Sequence, residues 1–500
     1  VNFSAFGEEA DLNIQLYRIA RTIKLEHILL LAVMGLAFYV AFIPNLNYLY
    51  PVHIDEWRSL AYFETIAQTG TTGIVDPFYG GATDIFYQAE MGFHLFWTIF
   101  HQISGIPWLS IFRYFPGVIF IITILSVYIL ARRQGYGWEA ALFACLVITT
   151  VGILGPAFLV PVALALVFIP LVLFLAFNFR TVWSYLVVFL LASFLVLIHA
   201  ITYVGLVIIL APYVVINVKG NFQHSLGLAL ALAVPVVIVG FIAPFSWIDM
   251  IGPVVRNLLQ PVVIPSEIDI PMIIHVYGVV PIIIGLLGVL LLGIKGGREN
   301  YGLLLGLVAL LLMLVVYYTF HYGETILYNR GILYMMLALG IIAGYGLMRI
   351  RAFRLPEEIT WRLKPAWLTR HVGKILCLVL ITVTLATCIP LRLSIPYYHM
   401  IDEEDYQAFL WIRENISGEY HKAVLDPWKA TVFTAVTLKQ VYTRIHMGPT
   451  EADMSVYAFL NEGCTDTSFL QENGISIVYT TGECRNPDLF EVRKNVYLLE

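Results

Sequence analysis

Residues 88–104 read QAEMGFHLFWTIFHQIS, and the fold turns on whether this stretch crosses a membrane. It is apolar enough to invite that reading. Counting it as a span, however, would place Arg132, Arg133 and most later basic clusters on the outer face. Lys and Arg are retained on the cytoplasmic side of membrane proteins. The stretch therefore reads as an interfacial or re-entrant helix inside a long first outer loop, residues 44–111.

The surrounding sequence leaves little room for a soluble protein. Hydrophobic residues make up 59% of the chain and charged residues 13%, and apolar runs long enough to span a bilayer recur along most of it. The first run, Leu25 to Ile43, is too long for the apolar core of a signal peptide. Spans are expected at 25–43, 112–131, 138–154, 158–177, 183–199, 201–216, 225–245, 273–293, 301–320, 331–348 and 375–393. The fold class is thus an all-α membrane domain of about eleven helices, residues 1–393, with a small extracytoplasmic α/β domain, 394–500.

Charge orients these spans. Sixteen basic residues fall on one side, among them Arg18, Arg21, Lys24, Arg132, Arg133, Lys295, Arg349 and Arg351, against five on the other: Arg58, Arg113, Arg256, Arg330 and Arg392. The N-terminus is expected inside and the tail outside. No Asp or Glu falls in the middle of a span, which counts against an ion-coupled transporter.

The tail holds sixteen acidic and eight basic residues. Asp402-Glu403-Glu404-Asp405 opens a helix, 423–425, 441–443 and 476–480 read as strands, and 451–462 reads as a helix closed by Gly463. No nucleotide-binding Gly-rich loop or metal-spaced Cys/His cluster is found in it. Cys464 and Cys484 are its only cysteines, and a disulfide between them is expected in an oxidising compartment. Cys145, Cys377 and Cys388 read as packing residues, and Asn415-Ile416-Ser417 is a glycosylation sequon.

The chemistry-bearing stretch is Pro51-Val52-His53-Ile54-Asp55-Glu56-Trp57. Asp55 and Glu56 are candidate catalytic residues and candidate ligands for a divalent metal, Mg or Mn. The plainer reading makes Asp55 an N-cap with Glu56 in the first turn. Glu90, His94 and His101 share a helix face, either against a cavity or against water. Arg330, in Tyr328-Asn329-Arg330-Gly331, suits a phosphate through paired hydrogen bonds, or snorkels at the interface. His53, Glu90, His94, Tyr328 and Arg330 are the candidate substrate-binding residues. His321, Tyr322 and Glu324 lie near Arg330; Asp249, Arg256, Glu267 and Asp269 are further candidates; His199 reads as structural.

Taken together, these features resemble the glycosyltransferase C superfamily, membrane enzymes that use polyprenyl-phosphate-linked sugars. The early acidic pair Asp55-Glu56 resembles that of the protein O-mannosyltransferase branch. Phe112-Arg113-Tyr114-Phe115-Pro116 with Tyr128-Ile129-Leu130-Ala131-Arg132-Arg133, and the tail stretch Tyr406 to Asn415, are similar to segments of such proteins. Two departures stand out: the tail has no Trp-Trp-Asp motif, which argues against an oligosaccharyltransferase, and Gly155-Pro156-Ala157 lacks the second acid that several members carry. The resemblance implies sugar transfer from a polyprenyl-phosphate lipid to a protein, lipid or glycan acceptor on the outer face. Asp55 would be the base, Glu56 its support or a metal ligand, and Arg330 the phosphate ligand. Membrane lipids are the remaining partners, and nucleic acid is not among them. A non-catalytic assembly subunit and a lipid or polymer transporter are the alternatives.

Overall fold

The computed structural model describes residues 24–83, 85–147, 154–242, 277–355, 366–393, 399–445 and 448–499, with isolated positions between 256 and 274. Asp249, Glu267, Asp269, Arg18 and Arg21 lie outside the described residues. Eight helices among those described are long and apolar enough to cross a membrane: Leu25–Phe42, Trp108–Arg132, Pro161–Asn178, Val182–Val218, Phe222–Phe241, Arg298–Phe320, Thr325–Arg351 and His371–Leu391. Val279–Lys295 is a shorter apolar helix packed against Thr325–Arg351.

The longest helix is a hairpin. At 37 residues it would run some 55 Å if straight, well beyond a hydrocarbon core of about 30 Å. His199 breaks it, with φ −160° and ψ 90°. Near one end of the run, the Tyr185 hydroxyl lies 2.9 Å from His224 Nδ1. Near the other, the Tyr213 hydroxyl lies 3.3 Å from His224 Nε2. Both ends therefore reach the same side of the bundle, as expected for two spans meeting near residue 200.

Helix Gly137–Ala144 starts at one end of the bundle. Glu139 pairs with Arg351 at 2.7 Å, beside Lys295, which donates to Gln134 at 2.9 Å. That is the basic end. Leu159 lies at the opposite end, against Glu56. The second arm of the hairpin and Val279–Lys295 match two further expected spans, and the expected span 138–154 runs on past the described residues.

The first loop contributes helices instead of spans. Met91–Ser104 has 14 residues, about 21 Å, too short to cross. It leans on the hairpin at Gly92, where a Cβ would stand 2.8 Å from the Leu197 carbonyl oxygen, so only glycine permits the approach. Helix Ile54–Thr69 packs beside it and is closed by Gly70 in the left-handed region, φ 67°.

After Leu393 the chain builds a five-stranded sheet, β1 Lys422–Val424, β2 Gln440–Val441, β3 Ile477–Tyr479, β4 Leu489–Arg493 and β5 Val496–Leu499. The order is β2-β1-β3-β5-β4, parallel across the first three and antiparallel across β3, β5 and β4. Asp402 caps helix Glu403–Asn415, accepting from Asp405 N–H at 2.9 Å. Helix Pro427–Thr437, the β4–β5 hairpin and its turn at Asn495, φ 70°, are elements the sequence pattern did not disclose. This part grips the first loop. Tyr48 donates to the Ile401 carbonyl at 2.8 Å, Arg413 pairs with Glu64 at 3.1 Å, Val441 N–H donates to the Phe78 carbonyl at 2.9 Å, and Pro427–Thr437 packs on Ile54–Thr69.

Candidate active site

The helix carrying the acidic pair starts with an unusual cap. His53 is the N-cap, extended at φ −137°, and its Nδ1 accepts from Asp55 N–H at 3.1 Å. Asp55 and Glu56 occupy the first turn, where carboxylates complement the helix dipole. The capping role foreseen for Asp55 thus belongs to His53, and the Asp55 side chain, one-quarter exposed, is not consumed by it.

Glu56 has a different environment. It is buried, and its two oxygens accept from Val52 N–H at 2.9 Å and Leu159 N–H at 2.7 Å. Burial pushes its carboxyl up to about 8, against the lowering effect of those amides. Glu56 clasps the first outer loop to the second. His53 lies in the same seam, its ring 5.1 Å from that of Phe158.

Arg330, in the second turn of Thr325–Arg351, is half-buried. Asp55 and Glu90 both act on it electrostatically. Glu90 is the N-cap residue of Met91–Ser104 but its side chain makes no cap bond there. Tyr334, one turn after Arg330, fits against Gly205, where a Cβ would lie 2.4 Å from its ring. Its hydroxyl is 2.7 Å from Thr202 Oγ1, beside the break at His199. The chain thus brings Asp55, Glu90, His199 and Arg330 together from four segments at the end opposite the basic cluster.

Other sequence candidates are placed elsewhere. His94 is buried in a box of Tyr62, Tyr87, Phe63 and Phe93, and neither ring nitrogen has a partner among the described residues. Burial, and then Arg58, push its imidazole down to about 3, so the ring is neutral. His101 stacks on Trp108 at 4.1 Å and contacts the Ile106 carbonyl, so Glu90, His94 and His101 do not form one polar wall. The Tyr328 hydroxyl donates to the Ile268 carbonyl at 2.9 Å and its ring stacks on Tyr317. His321 is the left-handed C-cap of Arg298–Phe320, φ 60°, and Arg256 is exposed. Arg58, not among the sequence candidates, is buried with its guanidinium 5.7 Å from the Tyr62 ring.

The donor set does not fit a protein-built metal centre. Both Glu56 oxygens are taken by backbone N–H groups, Asp55 is within electrostatic range of Arg330, and no group of three His, Cys, Asp or Glu residues able to hold a metal ion occurs among the described residues. In the tail, Cys464 is buried against Cys484, and both are thiols in this structure.

Comparison with protein-family models gives no match, and comparison with curated proteins gives none either. Solved structures do match. The chain is similar to the oligosaccharyltransferase of Archaeoglobus fulgidus, solved with an inhibitory peptide and a dolichol-phosphate: TM-score 0.60, 12% identity, over 91% of this chain and 69% of that one. ArnT from Cupriavidus metallidurans, bound to undecaprenyl phosphate, matches with TM-score 0.56 and 12% identity over 94% of this chain and 97% of that one. Arabinofuranosyltransferase AftD from mycobacteria matches with TM-score 0.52 and 14% identity over 93% of this chain and 37% of that one. These are glycosyltransferase C proteins, and the chain has their fold. Another structure of the Archaeoglobus protein contains zinc and sulfate. No protein O-mannosyltransferase is among these structures, so that branch remains an expectation from Asp55-Glu56.

Proposed function

We propose that this protein is a membrane glycosyltransferase that moves a sugar from a polyprenyl-phosphate donor to an acceptor hydroxyl, at the end of the bundle opposite its basic cluster. The observation that carries the reading is that Asp55 and Glu90, from two other segments, lie within electrostatic range of Arg330, on a fold shared with a transferase solved with undecaprenyl phosphate. Asp55 takes the proton of the acceptor hydroxyl, whose oxygen attacks the anomeric carbon. The bond from that carbon to the phosphate oxygen breaks, and the charge left on the phosphate is met by Arg330. Glu56 serves as the clasp that holds the Asp55 turn to the second loop. No step is routed through a metal.

In this scheme the basic end is cytoplasmic, residues 1–393 form the membrane domain, and residues 394–500 form an outer domain that holds the helix of Asp55 against the site. Labelling of a single cysteine introduced at position 360 from outside intact cells would reverse this orientation. The activity is tested with purified protein and polyprenyl-phosphate sugars labelled in the sugar. Time-dependent loss of label from the lipid supports the proposal; its absence from folded protein across the common lipid-linked sugars refutes it.

One observation favours a second reading, a non-catalytic assembly subunit. The second loop brings a backbone N–H, that of Leu159, to the acidic pair and carries no acid in Gly155-Pro156-Ala157. Binding of polyprenyl phosphate without turnover would select it.

A further inference from the structure

The break in Val182–Val218 leaves one side chain with a donor to spare. His199 is 4% exposed. Its Nδ1 accepts from Thr202 N–H at 3.1 Å and lies 2.7 Å from Thr202 Oγ1, which is 2.7 Å from the Tyr334 hydroxyl. A backbone amide only donates, so Nδ1 is the unprotonated nitrogen and the neutral ring carries its proton on Nε2. The hydroxyls then run in one direction: Tyr334 donates to Thr202 Oγ1, and Thr202 donates to Nδ1. Nε2–H meets no acceptor among the described residues, although the ring is buried and stands within electrostatic range of Arg330.

A donor left open in this way can take a ligand, and it stands within electrostatic range of the guanidinium assigned to the phosphate. Charge gives it a purpose. Asp55, Glu90 and Arg330 sum to one negative charge, so a phosphate seated on Arg330 also faces two carboxylates. A neutral N–H donor binds a second phosphate oxygen without drawing either carboxylate toward itself. The break supplies its position: the extended backbone at residue 199 interrupts the helix, and the bond from Thr202 fixes both the ring's orientation and its tautomer.

We propose that His199 Nε2–H binds a non-bridging oxygen of the polyprenyl-phosphate group beside Arg330, with Thr202 and Tyr334 as positioning residues. This rests on the reading of Arg330 as the phosphate ligand. The test compares binding of undecaprenyl phosphate and of undecaprenol, which has the same lipid and no phosphate, to purified protein in nanodiscs. In His199→Asn the amide oxygen replaces Nδ1 as the acceptor for Thr202 N–H, and no donor reaches the Nε2 position. In His199→Gln the amide NH2 reaches that position. The expected result is a loss of roughly tenfold or more in affinity for the phosphate in His199→Asn, unchanged undecaprenol binding, and substantial recovery in His199→Gln. If the wild type does not prefer the phosphate to the alcohol, the proposed function itself fails. If the wild type prefers it and His199→Asn retains the preference, the assignment of His199 alone fails. Loss of both ligands in His199→Asn without recovery in His199→Gln shows a purely structural ring and also overturns the proposal.

Discussion

Replacing Glu56 by glutamine removes one acceptor from a place with two donors to satisfy. Oε2 accepts Val52 N–H at 2.9 Å and Oε1 accepts Leu159 N–H at 2.7 Å. Glutamine keeps one oxygen and turns an NH2 group toward the other amide. A buried donor left in that state costs about 1–3 kcal/mol, which is about 5- to 150-fold in a local opening equilibrium. Amide hydrogen exchange followed by mass spectrometry reads this directly, in peptides covering residues 50–60 and 154–165. Faster exchange by that factor is expected in one or both, with peptides from β1 and β3 unchanged. Wild-type protection at both loops in Glu56→Gln would refute the clasp. The pH dependence has a definite sign. Burial raises Glu56 from 4.5 to about 8, so between those values the unfolded chain has shed a proton that the folded chain keeps. This contribution is fully present below about 4.5 and is lost as pH rises through about 8. The melting temperature of the wild type should therefore fall relative to that of Glu56→Gln across this window.

Asp55→Asn should lower the initial transfer rate roughly a hundredfold or more while leaving the melting temperature nearly unchanged, because the helix cap is His53 and not Asp55. Arg330→Lys should raise the KM for the lipid donor about tenfold or more, since lysine keeps the charge but loses the fork that grips phosphate. Incubation with EDTA should leave transfer within about twofold of the untreated rate, since both Glu56 oxygens are bound to backbone N–H groups and no metal-holding group occurs among the described residues. Cys464 and Cys484 are close enough for the outer domain to bridge them in an oxidising compartment, so unreduced, denatured protein should show three free thiols and not five.

Long apolar runs made the membrane helices legible, and the helix within residues 88–104, 14 residues long, is not among those long and apolar enough to cross a membrane. The hairpin could also be anticipated, because two membrane-length segments met near residue 200. What the sequence concealed were contacts made by the backbone. Nothing in Gly155-Pro156-Ala157 announces that an N–H two residues later will secure Glu56, so the pair Asp55-Glu56 looked like two equivalent acids. The cap on Asp55 N–H was missed because histidine is not among the favoured capping residues. Regular spacing misled for His94: the helical period places it near Glu90, but Glu90 precedes the helix and His94 faces four aromatic rings. His199 read as structural, although a polar residue dividing an apolar run of nearly forty was a signal in itself.

The broken helix has a mechanical consequence. Its apex at His199 is a single residue, so the two arms meet without a connecting loop to take up slack. Their far ends are fastened through Tyr185 and Tyr213 to one imidazole, His224, whose Nε2 also reaches the Ala176 carbonyl at 3.1 Å. A strut pinned at its feet and folded at its tip cannot lengthen, and it tilts only if its neighbours tilt with it. The wall that bears His199 is therefore braced at the feet of both arms, and a ligand that meets it meets a surface already ordered.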